Sequence, residues 1–427
     1  MSQSIMDKYH EYLFPAAAPY YGDNPLIASH AKDQYIWDVD GNQYLDFFGG
    51  VLTVSVGHAN DEITERILDQ AQKLQHTSTI YVNEIMVKVA EKVATMTPGR
   101  LQKCYFTNSG TEANETAILA ARAYTGNAKI IALRHAYSGR SMLGMSLTAH
   151  GTWRLGGVSD GNIIHIRNPY TYRAPKGITE DNIVDLVVHD LEEILATVTD
   201  GKIAAFIAEP IQGVGGFIVP PQDFFKRIVP IIREAGGVFI ADEVQTGWGR
   251  TGDKWFGIEQ FGVDPDIMCF AKGMANGSPI GATITTPEIA DALQGLTFAT
   301  FGGNPITMTA VLATLEYMEA NDVKTNAAKQ GAVLREKLEE LQAEFPYFGE
   351  VRGMGLMQAI EIVKPDGSKE PDPARATAFM DKAREVGLLL GKGGLYGNVI
   401  RIAPHLNVSN ADMEEGCDKL VQVASSI

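Results

Sequence analysis

Three cysteines, Cys104, Cys269 and Cys417, are too few and too scattered for a disulfide framework, and no C-x-x-C spacing offers a thiolate zinc site. A reduced protein of the cytoplasm is therefore expected. Basic residues are scarce as well: 36 Lys+Arg stand against 52 Asp+Glu, a formal charge of −16. Charge of that sign repels nucleic acid and anionic membrane surfaces, so neither is expected as a partner, and any bound anion must be gripped locally. No run approaches the roughly 18 apolar residues of a membrane span. The opening stretch from Met1 to Lys8 lacks a basic segment followed by an apolar one, so an unprocessed, soluble chain is expected. Internal repeats and low-complexity tracts are missing. The nine histidines show no ligand spacing, His135 beside Tyr137 reads as structural, and no metal is expected.

What is present suffices for a large core: 45% of the 427 residues are hydrophobic, and the length suits two or three domains. Near the start, Tyr35-Ile36-Trp37-Asp38-Val39-Asp40-Gly41 and Gln43-Tyr44-Leu45-Asp46-Phe47-Phe48 flank the turn signal Asp40-Gly41-Asn42, which predicts a β-hairpin. From about residue 100, short apolar runs alternate with longer amphipathic segments, the pattern of β/α units around a mostly parallel sheet. The buried-strand candidates are Ala204–Ala208, Val238–Ala241 and Ile267–Phe270. Later, Leu334, Leu338, Leu341 and Phe345 recur at helical spacing, and Lys364 to Lys369 reads as a polar turn, which together predict a smaller α+β domain.

Each of those strand candidates runs directly into ionisable residues: Glu209, then Asp242 with Glu243, then Lys272. Ligands of open α/β sheets bind beyond the carboxyl ends of the strands, so these side chains are expected to converge on one cleft. A fourth strand, Cys104-Tyr105-Phe106-Thr107, leads through Asn108-Ser109-Gly110-Thr111 into a helix. Free N–H groups at that helix start, with the hydroxyls of Ser109 and Thr111, suit one phosphate. The segment is not a Walker loop, and Gly213-Val214-Gly215-Gly216 fails as a dinucleotide fingerprint because Pro220 and Pro221 follow it. An anion cradle, a carboxylate and a lysine are what pyridoxal phosphate requires: a phosphate site, a partner for the ring nitrogen and an amine for a Schiff base.

The run Val238 to Gly252, containing Asp242-Glu243-Val244-Gln245-Thr246-Gly247, followed by Pro265-Asp266-Ile267-Met268-Cys269-Phe270-Ala271-Lys272-Gly273, resembles the two-part signature of the class III aminotransferases. The resemblance extends over Gly57-His58, Asn108 to Glu115, Glu209 to Gly213, Phe301 to Pro305 and Arg401-Ile402-Ala403-Pro404, nearly the whole chain. Within the family it looks most like the alanine–glyoxylate type 2 and beta-amino acid:pyruvate branch. It implies a fold type I α/β protein: a large, mostly parallel-sheet domain over residues 66–310, and a smaller α+β domain built from both termini, residues 1–65 and 311–427. It also implies a homodimer, with a tetramer as the larger alternative.

By position, the resemblance makes Lys272 the residue joined to pyridoxal phosphate and the proton shuttle, and Asp242 the partner of the ring nitrogen. Gln245 would lie near the ring hydroxyl, Gly110 and Thr111 at the phosphate, and Thr300 at the phosphate of the other subunit. Tyr137 would stack on the ring, Val244 would pack beneath it, Glu209 would give polar support, and Arg401 would take the substrate carboxylate. Two departures stand out. Tyr137 is followed by Ser138-Gly139-Arg140 where many members have His-Gly, leaving Arg140 as a surface, intersubunit or substrate-tail residue. Val214 stands where ornithine- and 4-aminobutyrate-type members carry a glutamate that neutralises the arginine. The implied activity is transfer of an amino group from an α- or β-amino acid to a small 2-oxo acid such as pyruvate or glyoxylate. A lyase, decarboxylase or racemase on the same scaffold is the alternative, and a cofactor-retaining binding protein a third.

Overall fold

The computed structural model describes residues 2–17, 20–22, 24–157 and 159–427. Its strands are β1 (Ala28–Lys32), β2 (Tyr35–Asp38), β3 (Gln43–Asp46), β4 (Lys103–Thr107), β5 (Ile130–Leu133), β6 (Ile163–Ile166), β7 (Ala205–Ala208) and β8 (Val238–Asp242). They continue with β9 (Ile267–Ala271), β10 (Gly281–Thr285), β11 (Phe348–Met354), β12 (Met357–Ile362), β13 (Leu388–Leu389), β14 (Gly391–Gly393) and β15 (Val399–Ile402). The central sheet has the order β4-β10-β9-β8-β7-β5-β6. β10 runs against both of its neighbours, and the other six strands share one direction.

Successive residues on a strand face opposite sides, and here both sides are covered, which is why the strands read as unbroken apolar runs. Ala205 and Ile207, Val238 and Ile240, Ile267 and Cys269 share one core with Ala113, Ala117, Ile118 and Ala121 of the helix Gly110–Thr125. Their alternates Phe206, Phe239, Ala241, Met268 and Phe270 share the other core with Phe224, Phe225 and Ile228 of the helix Phe224–Glu234. The small residues on the first face let that helix approach the sheet closely. Aromatics fill the second, where the rings of Phe206 and Phe239 stack at 5.7 Å; burying each such side chain contributes on the order of 2–3 kcal/mol.

β2 and β3 form the hairpin expected around Asp40-Gly41-Asn42, and Asp38 Oδ1 accepts the N–H groups of Asp40 and Asn42 at its turn. β1 extends it on one side, while β13 joins the other in parallel, pairing Leu388 with Leu45, so the two ends of the chain share a sheet. The sheet β11-β12-β15-β14 is antiparallel throughout. The helix Val323–Glu344 buries Leu334, Leu338 and Leu341 against this region, and Phe345 stands just past its end. No helix among the described residues is long and apolar enough to cross a membrane.

Candidate active site

The shared strand direction brings four chain segments to one edge. β8 runs one residue further than its apolar pattern, so Asp242 is still a strand residue, opposite Cys269 of β9. β9 likewise extends to Ala271, and Lys272 follows with φ +48°, a left-handed backbone uncommon for a lysine. Glu209 follows β7, and Gly110 opens the helix after β4. Between them lies a cavity of about 180 Å³, lined by Gly110, Thr111, Asn114, Tyr137, Ser138, Gly139, Glu209, Asp242, Val244, Gln245, Ala271 and Lys272. A larger surface groove of about 810 Å³, bordered by Tyr21, Asn24, Arg384 and Lys419, contains none of the candidate residues.

Asp242 is buried and held at both oxygens: Asn114 Nδ2 donates to Oδ2 at 2.7 Å and the Val244 N–H donates to Oδ1 at 3.2 Å. Glu209, also buried, accepts the N–H of Tyr137 at 3.1 Å and that of Gly213 at 2.7 Å, tying two loops to one carboxylate. Two glycines permit the close approach. A Cβ on Gly110 would stand 3.0 Å from Val244 Cγ2, and one on Gly213 only 2.3 Å from Gln245 Nε2.

Burial dominates the electrostatics. It pulls the Lys272 ammonium down to about 8, against the opposing pull of the Asp242 and Glu209 charges. It pushes Glu209 up to about 8, with the Asp242 charge adding to the effect, and raises Asp242 against the hydrogen bonds from Asn114 and Val244. A lowered lysine is deprotonated, and hence nucleophilic, at lower pH than an ordinary one. In cofactor-free protein, competitive acetylation read by peptide mass should therefore give Lys272 a reactivity midpoint near 8, below the value of about 10.4 for a free lysine side chain. Glu209→Gln removes a charge that favours the ammonium and should move the Lys272 midpoint lower still. A wild-type midpoint above 10 would contradict the desolvated site.

The structure brings Lys272, Asp242, Glu209, Gly110, Thr111, Tyr137, Val244 and Gln245 together around the cavity. It does not bring Ser109: that hydroxyl caps the helix, accepting the Glu112 N–H at 3.2 Å and donating to the Glu112 carboxylate. Thr300 is exposed and outside the cavity, and the Arg140 side chain is exposed while its N–H donates to Thr111 Oγ1. Arg401 is buried, its guanidinium between the rings of Phe48 and Phe217 at 4.8 and 5.6 Å. It donates to the carbonyls of Gly213 and Lys392 with the Tyr20 side chain beside it, and among the described residues its Nε has no partner and no ion pair forms at it. Asn114 was missed by sequence reasoning, although its position one turn into the helix from Gly110 puts both on one face.

A model of the aminotransferase class-III family matches residues 17–424. The alanine–glyoxylate aminotransferase 2 homolog 2, mitochondrial, of Arabidopsis thaliana is 40% identical over 411 residues, covering 96% of this chain and 85% of that protein. A leucine/methionine racemase of Thermococcus litoralis is 36% identical over 431 residues, covering 100% of this chain and 96% of that protein. Among solved structures, an (S)-enantioselective omega-transaminase from Thermomicrobium roseum superposes with a TM-score of 0.92 at 33% identity, covering 99% of this chain and 98% of that one.

Proposed function

The chain belongs to the class III aminotransferases, enzymes that depend on pyridoxal phosphate, and from that premise we propose that it moves an amino group from an α- or β-amino acid to a small 2-oxo acid, pyruvate or glyoxylate. The observation that carries this reading is the juxtaposition at one cavity of Lys272, the doubly held Asp242 and the helix start at Gly110 and Thr111. The residues present suit the cofactor. Two buried oxygens of cavity-lining amides, Asn114 Oδ1 and Gln245 Oε1, have no partner among the described residues, and the helix start at Gly110 and Thr111, ahead of the capped Glu112 N–H, suits an anion.

Lys272 would hold the cofactor covalently, Asp242 would meet its ring nitrogen, Gln245 its hydroxyl, and Gly110 and Thr111 its phosphate, with Tyr137 and Val244 on either side of the ring. When bound, pyridoxal phosphate supplies an electron sink for the substrate's Cα. The remaining work falls to the chain. The Lys272 amine, lowered to about 8, is neutral in a useful fraction near neutral pH and takes the Cα proton at Nζ before returning it elsewhere. Glu209 keeps the loops of Tyr137 and Gly213 in register with the cavity. The buried site excludes water that would otherwise weaken each electrostatic contact.

Arg401 supports the choice of carboxylate-bearing substrates. Its buried charge lacks an acidic partner among the described residues, and Val214 offers none in place of a glutamate. A substrate carboxylate would supply the missing anion through two parallel N–H donors. Arg401→Ala is expected to raise KM for the 2-oxo acid tenfold to more than a hundredfold, about 1.5–3 kcal/mol per charged hydrogen bond lost, while cofactor affinity holds. Val214→Glu should weaken use of α-amino acids by giving Arg401 an internal partner. Equal kcat/KM for ornithine and alanine in the unmodified enzyme would contradict this assignment.

A homodimer, in which Thr300 completes the partner's phosphate site, is supported by exposed apolar side chains around it. Ile80, Tyr81 and Val82 lie in one segment, Leu296, Phe298 and Phe301 in another, and the His76 and Phe301 rings meet at 5.1 Å. The three cysteines are free thiols, which supports the reducing cytoplasm as its compartment. A second reading, racemisation, draws on the Thermococcus litoralis relative: the Cα proton returns from the other face and the amino group never leaves. The experiment is to mix holoprotein with L-alanine and no acceptor. One pyruvate per cofactor, with a lasting change in the cofactor spectrum, is the result for transamination. D-alanine without pyruvate would transfer the assignment to a racemase.

A further inference from the structure

Outside the cavity, the described residues bring together one carboxylate and two imidazoles: Asp46, His58 and His405, whose ligand atoms all lie within 4.8 Å of one another. Asp46 ends β3, His58 closes the loop that follows, and His405 lies just beyond β15. Their separation along the chain hides the group from any spacing rule. His58 Nε2 stands 2.9 Å from Asp46 Oδ2, His405 Nε2 stands 3.8 Å from the same oxygen, and the two rings meet edge to face at 5.0 Å.

Hydrogen bonds around the group fix what each atom presents. Asn407 donates through Nδ2 to the Val56 carbonyl, so its oxygen faces and accepts from Gln34 Nε2. That leaves Gln34 Oε1 toward His405 Nδ1 at 2.6 Å, and the Nδ1 proton is therefore a donor in this bond. The other nitrogen, Nε2, is bare in the neutral ring, fully buried, without a hydrogen-bond partner among the described residues, and 3.8 Å from a carboxylate oxygen, too distant for a hydrogen bond. That oxygen already accepts the His58 Nε2 proton, and a cation in place of this proton would serve both its lone pairs and the bare His405 Nε2. Asp46 is prepared in the same way: its Oδ1 accepts the N–H groups of Phe48 and Gly49, both at 2.9 Å, which leaves Oδ2 toward the imidazoles. Oriented ligands backed by outer hydrogen bonds are what metal sites use.

We propose that Asp46 Oδ2, His58 Nε2 and His405 Nε2 bind one zinc ion, with water as fourth ligand. Metal–ligand distances of about 2.1 Å set tetrahedral ligands roughly 3.4 Å apart; the two nitrogens stand 2.9 and 3.8 Å from Oδ2, and all three ligand atoms lie within 4.8 Å of one another, so small side-chain adjustments close the site. On binding, His58 changes tautomer, moving its proton from Nε2 to Nδ1, so no net proton is lost. The buried Arg250 nearby directs its guanidinium to the carbonyls of Leu356 and Pro404 and to Ser55 Oγ, away from the three ligands. The ion would clip the loop after β3 to the chain after β15. That loop is joined to the Lys272 turn through Asn276, whose Oδ1 accepts the N–H groups of Ser55 and Val56 and whose Nδ2 donates to the Gly57 carbonyl.

The test uses the chelator-treated, dialysed holoprotein titrated with Zn²⁺ by calorimetry and with Co²⁺ by visible absorption. Expected are one ion per chain, the intense cobalt bands of a four-coordinate site, and a thermal midpoint that rises with free Zn²⁺. His58→Gln and His405→Gln should each weaken binding by more than about 100-fold, beyond the 10–100-fold of an outer-sphere change, whereas His189→Ala, on an exposed helix position, should leave it unchanged. Should His405→Gln fail to fold, the partly exposed His58→Gln and the wild-type stoichiometry still decide. No stoichiometric binding at micromolar Zn²⁺, or binding that survives His58→Gln undiminished, overturns the proposal.

Discussion

Lys272→Ala is expected to lower multiple-turnover amino transfer by at least about 10⁴-fold, because one amine both fixes the cofactor and moves the Cα proton. Among the described residues, no second lysine lines the cavity to take over either task. The phosphate contacts of Gly110 and Thr111 should still retain some cofactor noncovalently, so the variant is expected to bind pyridoxal phosphate more weakly and to lack the absorption of a lysine-linked cofactor. Its fold should not suffer, since removing a desolvated ammonium relieves a burial cost while Asn276 continues to hold the turn. Stopped-flow spectra with added amine and steady-state turnover distinguish the two roles: a small amine added from solution should restore part of the proton transfer and none of the covalent attachment.

Asp242→Ala should cost turnover about 10²–10³-fold, the range for deleting one fixed charge from a dry site. Stability should move far less. Asn114 Nδ2 and the Val244 N–H lose their acceptor, which costs about 1–3 kcal/mol, but a buried carboxylate raised by desolvation also disappears. Asp242→Asn should be nearly as harmful to turnover, because the amide keeps the shape of the hydrogen bonds and loses the charge that steadies a protonated ring nitrogen. Cofactor content, thermal midpoint and kcat measured on the same preparations separate these effects. Near-normal kcat in either variant with full cofactor would remove Asp242 from its assigned place.

The parts of the site carried by continuous segments were legible in the sequence. A buried strand reads as an apolar run, and the residue at its carboxyl end is adjacent in the chain, so Asp242, Lys272 and Glu209 fall on one sheet edge from the sequence alone. The hairpin at Asp40-Gly41-Asn42 and the helix of Leu334, Leu338 and Leu341 were legible for the same local reason. Hydroxyl roles were not. Ser109 stands beside the helix start, and sequence alone cannot tell a cap from a ligand; the structure gives its oxygen to the Glu112 N–H. Contacts between distant segments were the least accessible: the Asn114–Asp242 hydrogen bond, the joining of β13 to β3, and the meeting of His405 with Asp46 each close a long loop that no periodicity records.

The central claim is that the cavity at the carboxyl ends of β7, β8 and β9 is where pyridoxal phosphate is joined to the chain through Lys272. Borohydride reduction of the holoprotein, followed by proteolysis and mass mapping, tests it most directly. The account predicts one modified peptide, spanning the end of β9, with the pyridoxyl group on Lys272 and no such peptide from Lys272→Ala. A pyridoxyl group on any other lysine, or unlabelled Lys272 in protein that carries full cofactor, would contradict it.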